Sequence, residues 1–238
     1  MITNIKENLA GIVIGIRYRA NFFIEDQLGK IIDQILYQST GYFSMKYFPL
    51  VYSNIKEKVL IDEERNNHLT INNSNIILNL NFGDQLKASD YEGIVTSFRK
   101  EIIENVLIQF KITEISRIGF VNKYSFSSPG LAKEFVNKTV GTTIDGVNDI
   151  NVRFSKKIPA TEAMIKKSVY DYYNIIYTII KEANKEELHI SIDYQKYFEP
   201  FLPSAAEIPF NEFVKKVNNY NSNLFPEWLN RNYGKQKS

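Results

Sequence analysis

A run of basic residues followed by tyrosines is the strongest chemical signal in this sequence of 238 residues. Residues 151–170 contain a single acid, Glu162, and tyrosines crowd the positions that follow. Proteins that bind single-stranded nucleic acids use lysines to contact phosphates and aromatic rings to stack on bases. The residues concerned are Arg153, Lys156, Lys157, Lys166, Lys167, Tyr170 and Tyr172, with Tyr173 and Tyr177 shortly after them.

Strand geometry limits this interpretation. Alternation puts Tyr170 and Tyr172 on one face of a strand and Tyr173 and Tyr177 on the other, so no single platform collects all four rings. An ordinary pair of strands, with solvated lysines and half-buried tyrosines, explains the same pattern more simply, because tyrosine is enriched in strands generally.

A second polar cluster lies on two segments that are otherwise apolar. Arg17 and Arg19 follow the apolar run at residues 11–16, and Arg117 and Asn122 lie in a similar run near mid-chain. Polar side chains on apolar central strands must find partners. These four residues could line an anion-binding groove between two halves of the chain, or they could form salt bridges with helices that cover the sheet.

The sequence lacks the residues that most catalytic mechanisms require. The sequence has no cysteine and only two histidines, and His68 and His189 lie in different halves, where two ordinary strand residues are a simpler interpretation than a shared metal site. There is neither a glycine-rich phosphate loop nor a nucleophile elbow. We therefore predict no catalytic residue, no metal ligand and no cofactor, and a protein without enzymatic activity is favoured.

Bulk composition indicates a globular protein. The chain is 44% apolar and 24% charged with a net charge of +2, which argues against disorder and against a wholly basic DNA-binding protein. No apolar run approaches the roughly 20 residues of a membrane span. The lack of cysteine and of a signal peptide fits the cytoplasm, and the abundance of Asn, Ile and Lys fits an A+T-rich bacterial or phage genome.

Hydrophobic periodicity predicts the same order of elements twice along the chain. Ser89 and Glu92 are spaced as a capping box for the clearest helix. The segment VYDYYNIIYTII is long enough for a helix, but its β-branched and aromatic residues favour a strand. Strands are predicted at 11–22, 42–52, 57–63, 68–72, 75–82, 114–126, 150–158, 165–180 and 187–198, and helices after residue 25, at 90–110, from 128 and at 210–223.

The predicted fold class is α+β, with two pseudo-repeated β-α-β(n)-α halves. The sheet is expected to be mostly antiparallel, with the helices packed on one of its faces. The halves are residues 1–110 and 111–238, and they could also form one continuous domain.

The segment from Arg117 to Asn122, RIGFVN, resembles the central arginine–isoleucine–glycine–aromatic motif of a sporadically distributed, uncharacterised bacterial protein family of about this length. The opening strand GIVIGIRY and the late strand HISIDY fit the same family. That family has no assigned activity, so the resemblance implies no catalytic residue. The order of elements is also similar to the duplicated saddle of the TATA-box-binding protein, an analogy of architecture that favours binding on a sheet face without implying DNA.

Three functions are compatible with these observations. The first is a non-catalytic cytoplasmic protein that binds another protein, since aromatic residues carry much of the energy of interfaces. The second is nucleic-acid binding through residues 151–177. The third is a component of a phage-defence or toxin–antitoxin system with an unrecognised activity, which would require a pocket holding Arg17, Arg117 and a carboxylate of raised pKa.

Overall fold

The computed structural model describes residues 5–38, 41–54, 56–127, 149–158, 170–182, 185–224 and 227. Within them, nine antiparallel strands form one sheet in the order β2-β3-β4-β5-β1-β6-β9-β8-β7. The predicted α+β class and antiparallel sheet are confirmed. The strands are β1 (Leu9–Tyr18), β2 (Leu50–Ser53), β3 (Glu57–Asp62), β4 (Asn67–Asn72), β5 (Asn75–Asn81), β6 (Ile115–Phe126), β7 (Ile150–Ile158), β8 (Tyr170–Lys181) and β9 (Leu188–Leu202).

Three helices in the described residues pack on one face of the sheet. Tyr91 of the second helix lies 5.8 Å from Phe120 of β6, and Phe213 of the third lies 5.8 Å from Tyr194 of β9, measured between ring centroids. None of these helices is both long and apolar enough to cross a membrane. The helices are α1 (Phe22–Gln38), α2 (Tyr91–Ser97, continuing with π-type hydrogen bonds over Phe98–Ile108) and α3 (Phe210–Asn219, continuing likewise over Tyr220–Leu224).

Alternation along the central strands decides which face the helices cover. In β1 the side chains of Ile12, Ile14 and Ile16 are buried, whereas Val13 and Gly15 between them point to the other side. Each buried isoleucine contributes about 1.5–3 kcal/mol of transfer free energy, so the face that collects them is the one that the helices cover. The intervening positions of β1, and those aligned with them on neighbouring strands, form a second face without helices.

Part of the predicted strand at 42–52 is wrong. Only Leu50–Ser53 is extended, and the preceding residues form a turn in which the N–H groups of Tyr47 and Phe48 both donate to the carbonyl of Ser44. The aromatic residues that suggested a strand serve the core instead, since Phe48 is fully buried. Burial of rings does not require extended backbone, and aromatic content alone therefore misled the prediction.

The predicted capping box at the start of α2 is also wrong. Neither Ser89 nor Glu92 caps the helix; the Asp90 carboxylate accepts a hydrogen bond of 2.8 Å from the N–H of Lys87 instead. The described part of the segment VYDYYNIIYTII is a strand, as predicted, with β8 extending over 170–181. The predicted helix from 128 lies outside the described residues.

The sheet runs without a break from the first half of the chain into the second. β1 of residues 1–110 pairs with β6 of residues 111–238, so the first five strands lie on one side of this junction and the last four on the other. The repetition of the two halves stays a prediction, because the segment between β6 and β7 lies outside the described residues.

Candidate functional site

The helix-free face of the sheet carries a shallow groove over its two central strands. Its floor is the directly paired Gly15 of β1 and Gly119 of β6. Because these residues have no side chains, a cavity of about 330 Å³ remains above them. Its charged lining residues among those described are Arg17, Arg117 and Asp193.

Arg17 and Arg117 lie directly opposite each other at one end of the groove. Cross-strand neighbours in an antiparallel pair have Cβ atoms about 4.5–5.5 Å apart, and like charges at such positions repel. Among the described residues the guanidinium of Arg17 has neither a hydrogen bond nor an ion pair. The sheet therefore holds two adjacent cations, and neither forms an ion pair among the described residues.

A hydrogen-bonded series connects Arg117 with the acid of the groove. Arg117 Nη1 donates to Tyr197 Oη at 3.3 Å, Tyr197 Oη donates to Gln195 Oε1 at 2.5 Å, and Gln195 Nε2 donates to Asp193 Oδ2. The three β9 residues are spaced by two, which puts all of them on the helix-free face. Arg117 is thereby fixed in place, whereas Arg17 is exposed.

The carboxyl group of Asp193 has a perturbed pKa. Burial raises this pKa, while the hydrogen bond from Gln195 and the charges of Arg117 and Arg153 act in the opposite direction, and the net shift is upward. A carboxyl group that is harder to ionise neutralises the neighbouring arginines less effectively.

A stack of two tyrosine rings between two cations extends from Arg117 towards the edge of the sheet. Tyr197 and Tyr172 are stacked with ring centroids 4.7 Å apart and planes at 5°. The guanidinium carbon of Arg117 lies 5.6 Å from the Tyr197 centroid, and Lys157 Nζ lies 4.4 Å from that of Tyr172. Cations and rings at these distances attract one another. Both tyrosine rings already have stacking partners, so a nucleic-acid base would have to displace one of them.

The predicted nucleic-acid residues are divided between the two faces of the sheet. Arg153 and Lys157 share the helix-free face with Tyr172, because they pair with Thr178 and Asn174 of β8. Lys156 points to the helix side of the same edge strand. Lys166 and Lys167 lie outside the described residues, as does the side chain of Tyr170.

The predicted groove residues are also brought together only in part. Arg17 and Arg117 line the groove, whereas Arg19 lies beyond the end of β1, where its Nη1 forms an ion pair of 2.8 Å with Glu114 Oε1. All three arginines line a neighbouring cavity of about 450 Å³. Asn122 is not in the groove; it lies an odd number of residues from Arg117 and is therefore buried on the helix face. Period two along β6 makes it impossible for both residues to face the same side.

Arg17 and Arg117 become neighbours through the register of β1 and β6, which pairs them directly.

A second polar cluster lies on the same face, on the other side of the glycine pair. Lys123 Nζ donates to Asn79 Oδ1 at 2.6 Å and to Asn81 Oδ1 at 3.3 Å. Burial lowers the pKa of Lys123, and burial together with the Lys123 charge lowers the pKa of His68. His189 lies four strand positions from His68, about 19 Å away at the usual strand spacing, so the two histidines cannot share a metal ion.

Two groove residues and the tyrosine beside Arg117 were missed by the sequence analysis. Asp193, Gln195 and Tyr197 alternate with Ile192, Tyr194 and Lys196 along β9. Polar residues at every second position, with largely apolar residues between them, predict a strand that has one polar face.

The chain has no match among models of protein families, among curated proteins or among solved structures. The described residues contain no group of three or more His, Asp or Glu side chains placed to hold a metal ion.

Proposed function

We propose that this protein is a non-catalytic binding protein and that the helix-free face of its sheet holds a phosphate-bearing ligand. One observation carries the proposal: Arg17 and Arg117 are placed side by side over a floor of two glycines, and Arg17 has no acidic partner among the described residues. Repulsion between them lowers stability, and an anion between the two guanidinium groups would remove it.

The chemistry of arginine favours phosphate as the anion. A guanidinium group presents two parallel N–H donors that match a phosphate or carboxylate, and its charge persists at every physiological pH. The Arg117 guanidinium is positioned by Tyr197, so part of the entropy of ordering a side chain is lost before the ligand arrives. The groove of about 330 Å³ lies at the lower end of the range for small-molecule sites.

The experiment is a titration of the protein with tripolyphosphate, measured by calorimetry. Arg17→Gln should weaken binding by about tenfold or more, as expected for loss of a charge-assisted hydrogen bond. Arg99→Gln is the matched control, because it removes the same charge from an exposed residue of α2 that pairs with Glu104 at 3.0 Å. Absence of binding, or an equal loss in both variants, would overturn the proposal.

A second candidate is an enzyme, and one observation favours it. The groove brings together Arg17, Arg117 and Asp193, the last with a raised pKa, which are the components that the enzyme hypothesis requires. Hydrolysis of p-nitrophenyl phosphate by the wild-type protein, abolished in Asp193→Asn while tripolyphosphate still binds, would establish this function. No turnover above background with the wild-type protein removes it for phosphate monoesters.

We also propose the other functions that the sequence predicts. A protein partner would contact these arginines through its own phosphates or carboxylates, and a nucleic acid would contact them through its phosphate backbone. A role in phage defence or in a toxin–antitoxin system, a cytoplasmic location, a bacterial or phage origin and membership of the family with the RIG-aromatic motif are proposed on the sequence alone.

A further inference from the structure

A second cavity, of about 520 Å³, lies on the helix-covered side of the sheet. It is bounded by β6, by the short 3-10 turn Ile5–Asn8, by the start of α2 and by the end of α3. β6 separates it from the arginine groove, since Asn122 and Tyr124 point into this cavity while Arg117 and Gly119 point to the opposite face. The two sites are therefore independent.

Asn122 is the unusual residue of this cavity. It is 2% exposed, and its Oδ1 atom accepts no hydrogen bond from any described residue. Buried amide groups in native structures nearly always have a partner, and one left without it lowers stability. The neighbouring helix-side positions of β6 are the apolar Phe120 and the largely apolar Tyr124, so packing alone would favour leucine here.

The buried part of the cavity is neutral and partly aromatic. Tyr91 Oη donates to Asn218 Oδ1 at 2.6 Å, and the Tyr91 ring rests against Phe120. Burial raises the pKa of Tyr91 and of Tyr124, so both hydroxyl groups remain protonated at neutral pH. The charged lining residues Lys6, Glu7 and Glu92 are exposed. Among the described residues, a charged ligand would find no counterion at the buried end.

We propose that this cavity binds a neutral, planar heterocycle that carries a hydrogen-bond donor and an acceptor on adjacent atoms. A carboxamide such as that of Asn122 pairs with an edge of this kind through two hydrogen bonds, as asparagine does with adenine. The rings of Tyr91 and Tyr124 and the side chains of Ile5 and Leu9 supply apolar surface for the body of the ligand. The volume is suited to a fused bicyclic ring or a somewhat larger molecule.

The test uses 2-quinolone, a neutral fused lactam, and quinoline, which has the same rings without the lactam edge. Ligand-observed NMR and calorimetry should show 2-quinolone binding to the wild-type protein, with quinoline about tenfold weaker or more. Asn122→Leu keeps the volume and removes the amide, so it should lose the preference for 2-quinolone while raising the midpoint of thermal unfolding. Ser89→Trp, at an exposed position on the rim, should block both compounds.

Three outcomes would overturn the inference: no binding of 2-quinolone at its solubility limit, equal affinity for 2-quinolone and quinoline, or an unchanged preference in Asn122→Leu. Two cross-controls separate this cavity from the arginine groove. Arg17→Gln should bind 2-quinolone normally, and Asn122→Leu should bind tripolyphosphate normally. Interference in either direction contradicts the independence of the two sites.

Discussion

Gly15 and Gly119 are directly paired on the two central strands, yet packing does not require glycine at either position. A methyl group on Gly15 would come no closer than 3.8 Å to a neighbouring atom, and one on Gly119 no closer than 3.9 Å. Gly11, four positions before Gly15 in β1, differs because a methyl group there would approach the Leu80 carbonyl oxygen to 2.5 Å. Glycine within a strand lowers stability, so the central pair is more easily explained by the space it leaves above the sheet.

We expect Gly15→Ala to stabilise the protein and to weaken its ligand. The free energy of unfolding should rise by about 0.4–1 kcal/mol, because alanine restricts the unfolded chain without a clash in the folded one. The added methyl group narrows the groove, so affinity for tripolyphosphate should fall. Urea denaturation and calorimetry measure the two effects. Gly11→Ala serves as the contrast and should lower the free energy of unfolding by about 1–3 kcal/mol.

Asp193 should give the protein a stability that falls as pH rises. Because burial raises its pKa, the folded protein holds this proton more tightly than the unfolded chain. The free energy of unfolding therefore declines from the ordinary aspartate pKa of about 3.9 up to the raised value, and it is level above that. Asp193→Asn should be more stable than the wild-type protein at about pH 7, with no such gain at about pH 3, where both states are protonated.

Urea titrations at a series of pH values measure this difference. Asp33→Asn, which removes an exposed carboxylate from α1, corrects for the change in net charge. A gain in Asp193→Asn that is equally large at low pH would mean that ionisation of Asp193 is not its cause.

Tyr197→Phe should distinguish two roles of Tyr197, the hydrogen bond that positions Arg117 and the stacking on Tyr172. Phenylalanine keeps the stack on Tyr172 and loses the hydroxyl that accepts from Arg117 and donates to Gln195. Stability should fall by about 0.5–1.5 kcal/mol, the usual net value of a hydrogen bond, and affinity for tripolyphosphate should fall because the guanidinium is less well fixed. Tyr52→Phe is the control, because Tyr52 lies on the exposed strand β2 and the change removes only its hydrogen bond to Glu63.

Local patterns sufficed to predict most of the strands. Alternation of apolar residues from Ile12 to Tyr18 against Arg17 and Arg19 predicted β1, and the β-branched and aromatic residues of β8 outweighed its helical length. Residues 42–49 failed because ring burial, and not strand pairing, determines their composition; Phe48 is buried in a turn.

The site was harder to predict because it depends on register. Arg17 and Arg117 are far apart in sequence and become neighbours only when β1 and β6 pair with Gly15 opposite Gly119. A shift of one residue would send one of the two arginines to the helix face. The polar residues themselves were recognised, but strand pairing could not be predicted from the sequence. Asn122 was therefore assigned to the groove, although its side chain lies on the helix face.

Lys157 and Lys156 provide a sharp test of nucleic-acid binding, because adjacent residues of one strand point to opposite faces. Lys157 lies over Tyr172 on the helix-free face, whereas Lys156 is aligned with Ile175 on the helix side. If single-stranded nucleic acid lies across the helix-free face, Lys157→Glu should weaken binding of an oligothymidine and reduce the slope of log affinity against log salt by about one. Lys156→Glu changes net charge equally and should leave both quantities unchanged. Equal effects of the two reversals would mean that general charge, and not this face, attracts the oligonucleotide.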